Sequence, residues 1–167
     1  MKVEMQCVIL AGGLATRLWP ITDNVPKSMV LINNKPFLDY QIELLKNIGV
    51  LDIVLCIGHK GDMIKNYFND GKNFNVKISY SSEDILLGTG GALRNAANLL
   101  KESFLVLYGD AYLDIDYREI INYFKHIKCP ALLTVYKNEG KFDTSNVAFI
   151  DDRFVLYDKQ NPTKEMQ

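Results

Sequence analysis

Apolar positions along the chain come in short blocks, and their spacing switches between two periods. Residues 5–11 form a near-continuous apolar run that ends in Gly12-Gly13, which predicts a strand buried on both faces. Residues 36–49 open on Pro36, place Leu38, Ile42 and Leu45 on one face and close at Gly49, the pattern of a helix with a proline start and a glycine stop. Residues 52–57 predict a second buried strand, 62–68 a short helix and 76–81 an alternating strand. In residues 91–101, Leu93, Ala96, Ala97 and Leu100 share one face of a predicted helix. A third apolar run covers 103–108, and Tyr117, Ile120, Ile121, Phe124 and Ile127 repeat the helical spacing. Residues 131–136 read as a further strand, and 146–150 with 154–158 as a hairpin around Asp151-Asp152-Arg153.

This alternation predicts an α/β fold, a mostly parallel central sheet covered by helices. Ligands in such folds bind outside the carboxyl ends of the strands. The segments to search are therefore Gly12 onward, Gly58 onward, Ser81 onward and Gly109-Asp110. The length of 167 residues fits a single domain, residues 1–167, with a sizeable core. With 48% hydrophobic and 23% charged residues, the chain is neither disordered nor a coiled coil. A net charge of −1 gives no support to a nucleic-acid partner. No apolar run approaches the roughly 20 residues of a membrane span, and the N-terminus lacks the apolar region of a signal peptide. Cys7, Cys56 and Cys129 are odd in number and far apart, which favours buried reduced thiols over a disulfide or a zinc site. The expectation is a cytoplasmic protein.

Three segments carry candidate chemistry. The first runs from Leu10 to Met29. Gly12 and Gly13 after a strand let backbone approach a ligand and aim amides at phosphate oxygens. Arg17 adds a planar fork of donors and Lys27 a compact positive charge. A bare double glycine is equally a plain turn, but the joint placement suits an oligophosphate. Neither G-x-x-x-x-G-K-[ST] nor G-x-G-x-x-G is present. The second segment, residues 82–96, crowds Gly88, Gly90 and Gly91 at a helix entry, where anions and flat rings can approach backbone. The third is Gly109-Asp110, a carboxylate at the carboxyl end of a buried strand, placed to hold Mg²⁺.

Taken in order, A-G-G-x-x-T-R-L, P-K, G-T-G-G-A and G-D resemble the sugar-1-phosphate nucleotidylyltransferases, over residues 5 to 162. The resemblance implies a three-layer, Rossmann-like fold of the nucleotide-diphospho-sugar transferase type. It implies transfer of a nucleotidyl group from a nucleoside triphosphate to a sugar 1-phosphate, with pyrophosphate released and Mg²⁺ as cofactor. It assigns nucleotide binding to Leu10, Ala11, Gly12, Gly13, Thr16, Arg17, Glu83, Gly88 and Thr89. Sugar-phosphate binding falls to Gly90, Gly91, Asp110 and Lys159, metal binding to Asp110, and catalysis to Arg17, Lys27 and Asp110. The match at Lys159 is looser, because Asp158 replaces a glutamate and Gln160-Asn161 precede Pro162.

Two departures stand out. Ala15 stands where most members have glycine, so the loop is strained if that position needs positive φ. Members are also usually longer, and their second metal aspartate lies beyond residue 167. The expectation is a nucleotidyltransferase domain lacking its C-terminal part, which leaves a non-catalytic nucleotide-binding module as the alternative. A homo-oligomer is left open. For the base, Glu83 can only accept hydrogen bonds when ionised, and guanine offers two adjacent donors. The stretch LGTGGAL also resembles the branches acting on mannose or heptose 1-phosphate, so GTP is favoured over UTP, dTTP or CTP, in the synthesis of nucleotide sugars for cell-surface polysaccharide. Glu83 is equally readable as a solvated loop charge.

Overall fold

The computed structural model describes residues 4–15, 18–137, 141, 144–150, 153–158, 161, 163 and 166. The chain forms two compact units, Met1–His126 and Ile127–Gln167. In the first, strands β1 (Gln6–Leu10), β2 (Leu31–Ile32), β3 (Lys35–Pro36), β4 (Asp52–Ile57), β5 (Lys77–Ser82) and β6 (Phe104–Tyr108) alternate with helices α1 (Phe37–Ile48), α2 (Gly61–Phe68), α3 (Gly88–Asn95) and α4 (Tyr117–Ile127). Four strands make one parallel sheet in the order β5-β4-β1-β6, with Leu10 in register with both Cys56 and Tyr108. β2 and β3 form a small antiparallel ladder.

The period-2 alternation of the strands sorts the core into two layers. Cys7, Ile9, Ile53, Leu55 and Ile57 pack with Leu38, Ile42, Leu45, Ile64, Phe68, Tyr117 and Ile121, from α1, α2 and α4. Val8, Val54 and Cys56 face the other way, onto Ala92 and Ala96. The expected three-layer α/β architecture with a mostly parallel sheet is therefore present. Gly49 stops α1 at φ 90°, its amide donating to Leu45 and Lys46 carbonyls, as the glycine stop predicts. No helix among the described residues is long and apolar enough to cross a membrane.

Two elements differ from expectation. The helix predicted at 91–101 is α3, Gly88–Asn95, followed by a 3-10 turn, Ala97–Leu99. Glycine is a poor helix former, yet packing of Ala92, Leu93 and Ala96 on the sheet draws the helix start back through the glycines. Residues 131–136 form no strand. Leu133 and Val135 are exposed at 70% and 50%, and an apolar run without a paired neighbour does not make a strand. In the second unit, β7 (Val147–Ile150) and β8 (Arg153–Tyr157) do form the expected antiparallel hairpin, irregular between Ala148 and Phe149. Cys7 and Cys56 are buried, whereas Cys129 is exposed, contrary to a uniformly buried set; all three are free thiols.

Candidate functional site

The chain winds outward from β1 to β4 to β5, then returns to β6 on the far side of β1. That reversal splays the connections apart beyond the ends of β1 and β6, where open α/β sheets bind ligands. A cavity of about 360 Å³ opens there, within the range of small-ligand pockets. Its walls bring together Leu10, Ala11, Gly12, Gly13, Lys27, Glu83, Gly88, Thr89 and Asp110 from the sequence reading. Gly90 and Gly91 lie on α3 but off the walls, and a Cβ on Gly91 would press on Leu87 at 2.7 Å. Thr16, Arg17 and Lys159 lie outside the described residues. Ala15, Ser28, Cys56, Leu86, Ala92, Tyr108 and Gly109 complete the lining.

The turn after β1 is held by its own backbone. Ala15 adopts φ 55°, the left-handed region that disfavours an L side chain. The strain anticipated at this departure from glycine is therefore present. The Ala15 carbonyl accepts from the Leu18 amide and the Thr22 hydroxyl, each at 3.1 Å. Lys60, itself at φ 56°, reaches the next turn with its ammonium and donates to the carbonyls of Thr22, at 3.0 Å, and Asp23.

Glu83 lies at the junction of β1, β4 and β5. Its amide donates to Ile57 O at 2.9 Å, and its side chain packs where two glycines leave room. A Cβ on Gly12 would meet Glu83 Oε1 at 2.5 Å, and one on Gly58 would meet Glu83 Cγ at 3.2 Å. Glu83 Oε2 is buried with no hydrogen-bond partner among the described residues. An orphaned carboxylate oxygen at a pocket wall needs a donor, because an unmet charged acceptor is unfavourable. Burial, with the Glu83 carboxylate adding to it, pushes the Cys56 thiol up to about 11. Cys56 is therefore a neutral wall at ordinary pH, not a nucleophile.

Across the cavity, Lys27 opens a 3-10 turn, Lys27–Met29, and its ammonium donates to Asp110 Oδ2 at 2.7 Å. Both side chains are about 40% exposed (39% and 44%), so the pair is worth roughly 1 kcal/mol or less and can open to an incoming phosphate. The Asp110 turn is pressed against the turn after β1. Gly109 N donates to Leu10 O at 2.9 Å, and a Cβ on Gly109 would stand 3.1 Å from Ala11 Cα. Beneath the turn, the buried Gln41 carboxamide donates to Tyr108 O at 2.8 Å and Ala111 O at 2.6 Å. Ser28, also buried, lines the cavity with a hydroxyl that has no partner. Neither Gln41 nor Ser28 is visible in the sequence pattern. The nearest signal is a polar residue at 41, between two core-facing positions of α1.

No group of three or more His, Cys, Asp or Glu side chains converges on a metal position among the described residues. Of the two carboxylates that line the cavity, Glu83 packs against Gly12 and Gly58, which leaves Asp110 as the more exposed hard oxygen ligand. That donor set fits a Mg²⁺ ion that takes most of its ligands from phosphates and water, the usual way this ion is held.

A family model described as nucleotidyl transferase matches residues 6–142. The chain is 45% identical over 112 residues to the D-glycero-alpha-D-manno-heptose 1-phosphate guanylyltransferase of Campylobacter jejuni, covering 67% of this chain and 50% of that protein. It is 37% identical over 139 residues to the mannose-1-phosphate guanylyltransferase catalytic subunit beta of Xenopus tropicalis, covering 81% of this chain and 39% of that one. Among solved structures, HddC from Yersinia pseudotuberculosis complexed with GMP-PN superposes with a TM-score of 0.65 at 39% identity, over 71% of this chain and 53% of that one. The chain thus spans between 39% and 53% of the length of these relatives. With its motifs gathered at one cavity and the family model matching most of its length, the chain belongs to the nucleotidyl transferase family.

Proposed function

We propose that this chain is the nucleotide-binding part of a sugar-1-phosphate guanylyltransferase that joins GTP to a heptose or mannose 1-phosphate and releases pyrophosphate. The observation that carries the choice of base is Glu83 in the cavity lining, its Oε2 buried without a hydrogen-bond partner among the described residues. Guanine presents N1–H and the 2-amino group side by side, two donors for one carboxylate. Uracil and thymine offer one donor between two acceptors, which a carboxylate meets poorly. The names of the relatives support the choice of sugar.

A sugar-phosphate oxygen attacks the α-phosphorus in line, and pyrophosphate leaves. No covalent intermediate on the protein is needed, so the side chains act by position and charge. Amides of the Gly12–Gly13 turn face the phosphates, and Lys27 leaves Asp110 to offset charge at the reacting centre. Arg17 steadies the departing pyrophosphate, as the family resemblance implies. Asp110 would hold Mg²⁺, which would supply charge neutralisation at the phosphates.

The test is pyrophosphate release with Mg²⁺, crossing GTP, UTP, dTTP, CTP and ATP with mannose, glucose and heptose 1-phosphates. The expected signal is confined to GTP with heptose or mannose 1-phosphate. Release with UTP or dTTP instead would overturn the base assignment. Because the chain spans half the length of its relatives, a second reading is nucleotide binding without turnover; GTP binding with silence across the grid would select it.

A further inference from the structure

We infer that Gln41 is the positioning residue for the turn that carries Asp110, and through that turn sets how tightly the site holds its divalent cation. The inference rests on the reading of Asp110 as the metal-holding carboxylate. Gln41 contributes nothing to the cavity walls. It sits on the core-facing side of α1 between Leu38 and Leu45 and is only 1% exposed. An apolar residue would serve packing better there, since burying an amide is unfavourable unless its groups are met. Its two N–H groups go to Tyr108 O and Ala111 O, the carbonyls that bracket Gly109 and Asp110. Its oxygen finds no partner. A flipped amide would set that oxygen against two carbonyl oxygens, so the donor assignment is fixed by the contacts themselves.

Besides Gln41, the far side of the turn is held among the described residues by the half-exposed Lys27–Asp110 pair and by one backbone bond. Its own closing bond, Ala111 N to Tyr108 O, is long at 3.2 Å. Gly109 anchors only the near side, to Leu10 O. A single carboxylate that shares a cation with phosphates must be held to within about 0.5 Å, and the residues behind such ligands do that. Loss of such a supporting residue typically lowers metal affinity by about 10- to 100-fold.

The experiment uses the full 167-residue chain with Mn²⁺ as a paramagnetic probe and a non-hydrolysable GTP analogue. In Gln41→Met, of similar volume, Mn²⁺ affinity in the ternary complex is expected to fall about tenfold. Metal-free nucleotide affinity is expected to stay within about twofold. Gln41→Glu keeps the shape, but only its protonated form can donate, so its Mn²⁺ deficit should shrink as pH falls. That second variant carries the test if Gln41→Met does not fold. Unchanged Mn²⁺ affinity in the folded variant, or an equal loss of metal-free nucleotide affinity, would make Gln41 a core residue only and overturn the inference. Asp110→Ala separates the two levels: Mn²⁺ affinity that survives it sinks the Asp110 reading as well, whereas affinity lost there but kept in Gln41→Met sinks Gln41 alone.

Discussion

The turn after β1 and the turn after β6 leave neighbouring parallel strands at the same end of the sheet. Beyond Gly12, which packs on Glu83, the first takes its shape from local backbone: a Cβ on Gly13 would meet nothing within 4 Å among the described residues, and Ala15 sits at φ 55° with its carbonyl met by Leu18 and Thr22. The second takes its shape from the rest of the fold: Gly109 is wedged against Leu10 and Ala11, and Gln41 grips it from α1. On the proposed function, the difference follows from what each would present. Backbone amides that wrap a triphosphate need open space and special dihedrals. A lone carboxylate needs its turn immobilised by packing. Between the two, Lys27 bridges to Asp110 in a half-exposed pair, which on the proposed function gives way to a phosphate.

The comparison can be broken most forcefully at that bridge. Lys27→Ala or Asp110→Ala should lower turnover by about 10²–10³-fold, the usual effect of removing one charge-stabilising group, with the far-UV spectrum unchanged. Steady-state pyrophosphate release checks this, and near-wild-type rates would contradict both roles. Next in size is the contrast between the two glycines. Gly109→Ala forces a Cβ to 2.9 Å from Leu10 O and should destabilise by about 1–3 kcal/mol in urea unfolding. Gly13→Ala, with open space around it, should stay within about 0.5 kcal/mol of wild type. If both cost the same, the two turns are not held differently. Glu83→Gln should reduce the preference for GTP over UTP by about tenfold in competition binding, since the amide oxygen replaces only part of a charged acceptor. The smallest effect is at the strained position. Left-handed alanine costs about 1–2 kcal/mol, and the added freedom of glycine in the unfolded chain offsets about 0.5–1. Ala15→Gly should therefore stabilise by about 0.5–1 kcal/mol, seen as a raised Tm.

Much of this was legible in the sequence because it is written in local signals. The strand at Gln6–Leu10, the helix ended by Gly49 and the hairpin at 147–157 follow from periodicity and punctuation alone. The two turns were found by the rule that parallel strands present ligands at their carboxyl ends. Ala15 departs from the glycine usual at this position, and its φ carries the strain expected there. What stayed hidden depends on distant partners. Gln41 lies 67 and 70 residues from the carbonyls it holds, and in the sequence it is one polar residue of an amphipathic helix. Ser28 is buried beside a charged neighbour and carries no pattern of its own. The strand expected at 131–136 fails for the same reason in reverse, since a short apolar run makes a strand only where a neighbour pairs with it.

The most direct measurement is equilibrium binding of GTP, UTP, dTTP and CTP to the full chain by titration calorimetry, repeated with Lys27→Ala and Glu83→Gln. The account expects GTP to bind at least tenfold more tightly than the pyrimidine nucleotides. It expects Lys27→Ala to weaken all of them and Glu83→Gln to weaken GTP selectively. Equal binding of all four by the wild-type chain, or GTP binding untouched by both substitutions, would contradict the assignment of this cavity to a guanine nucleotide.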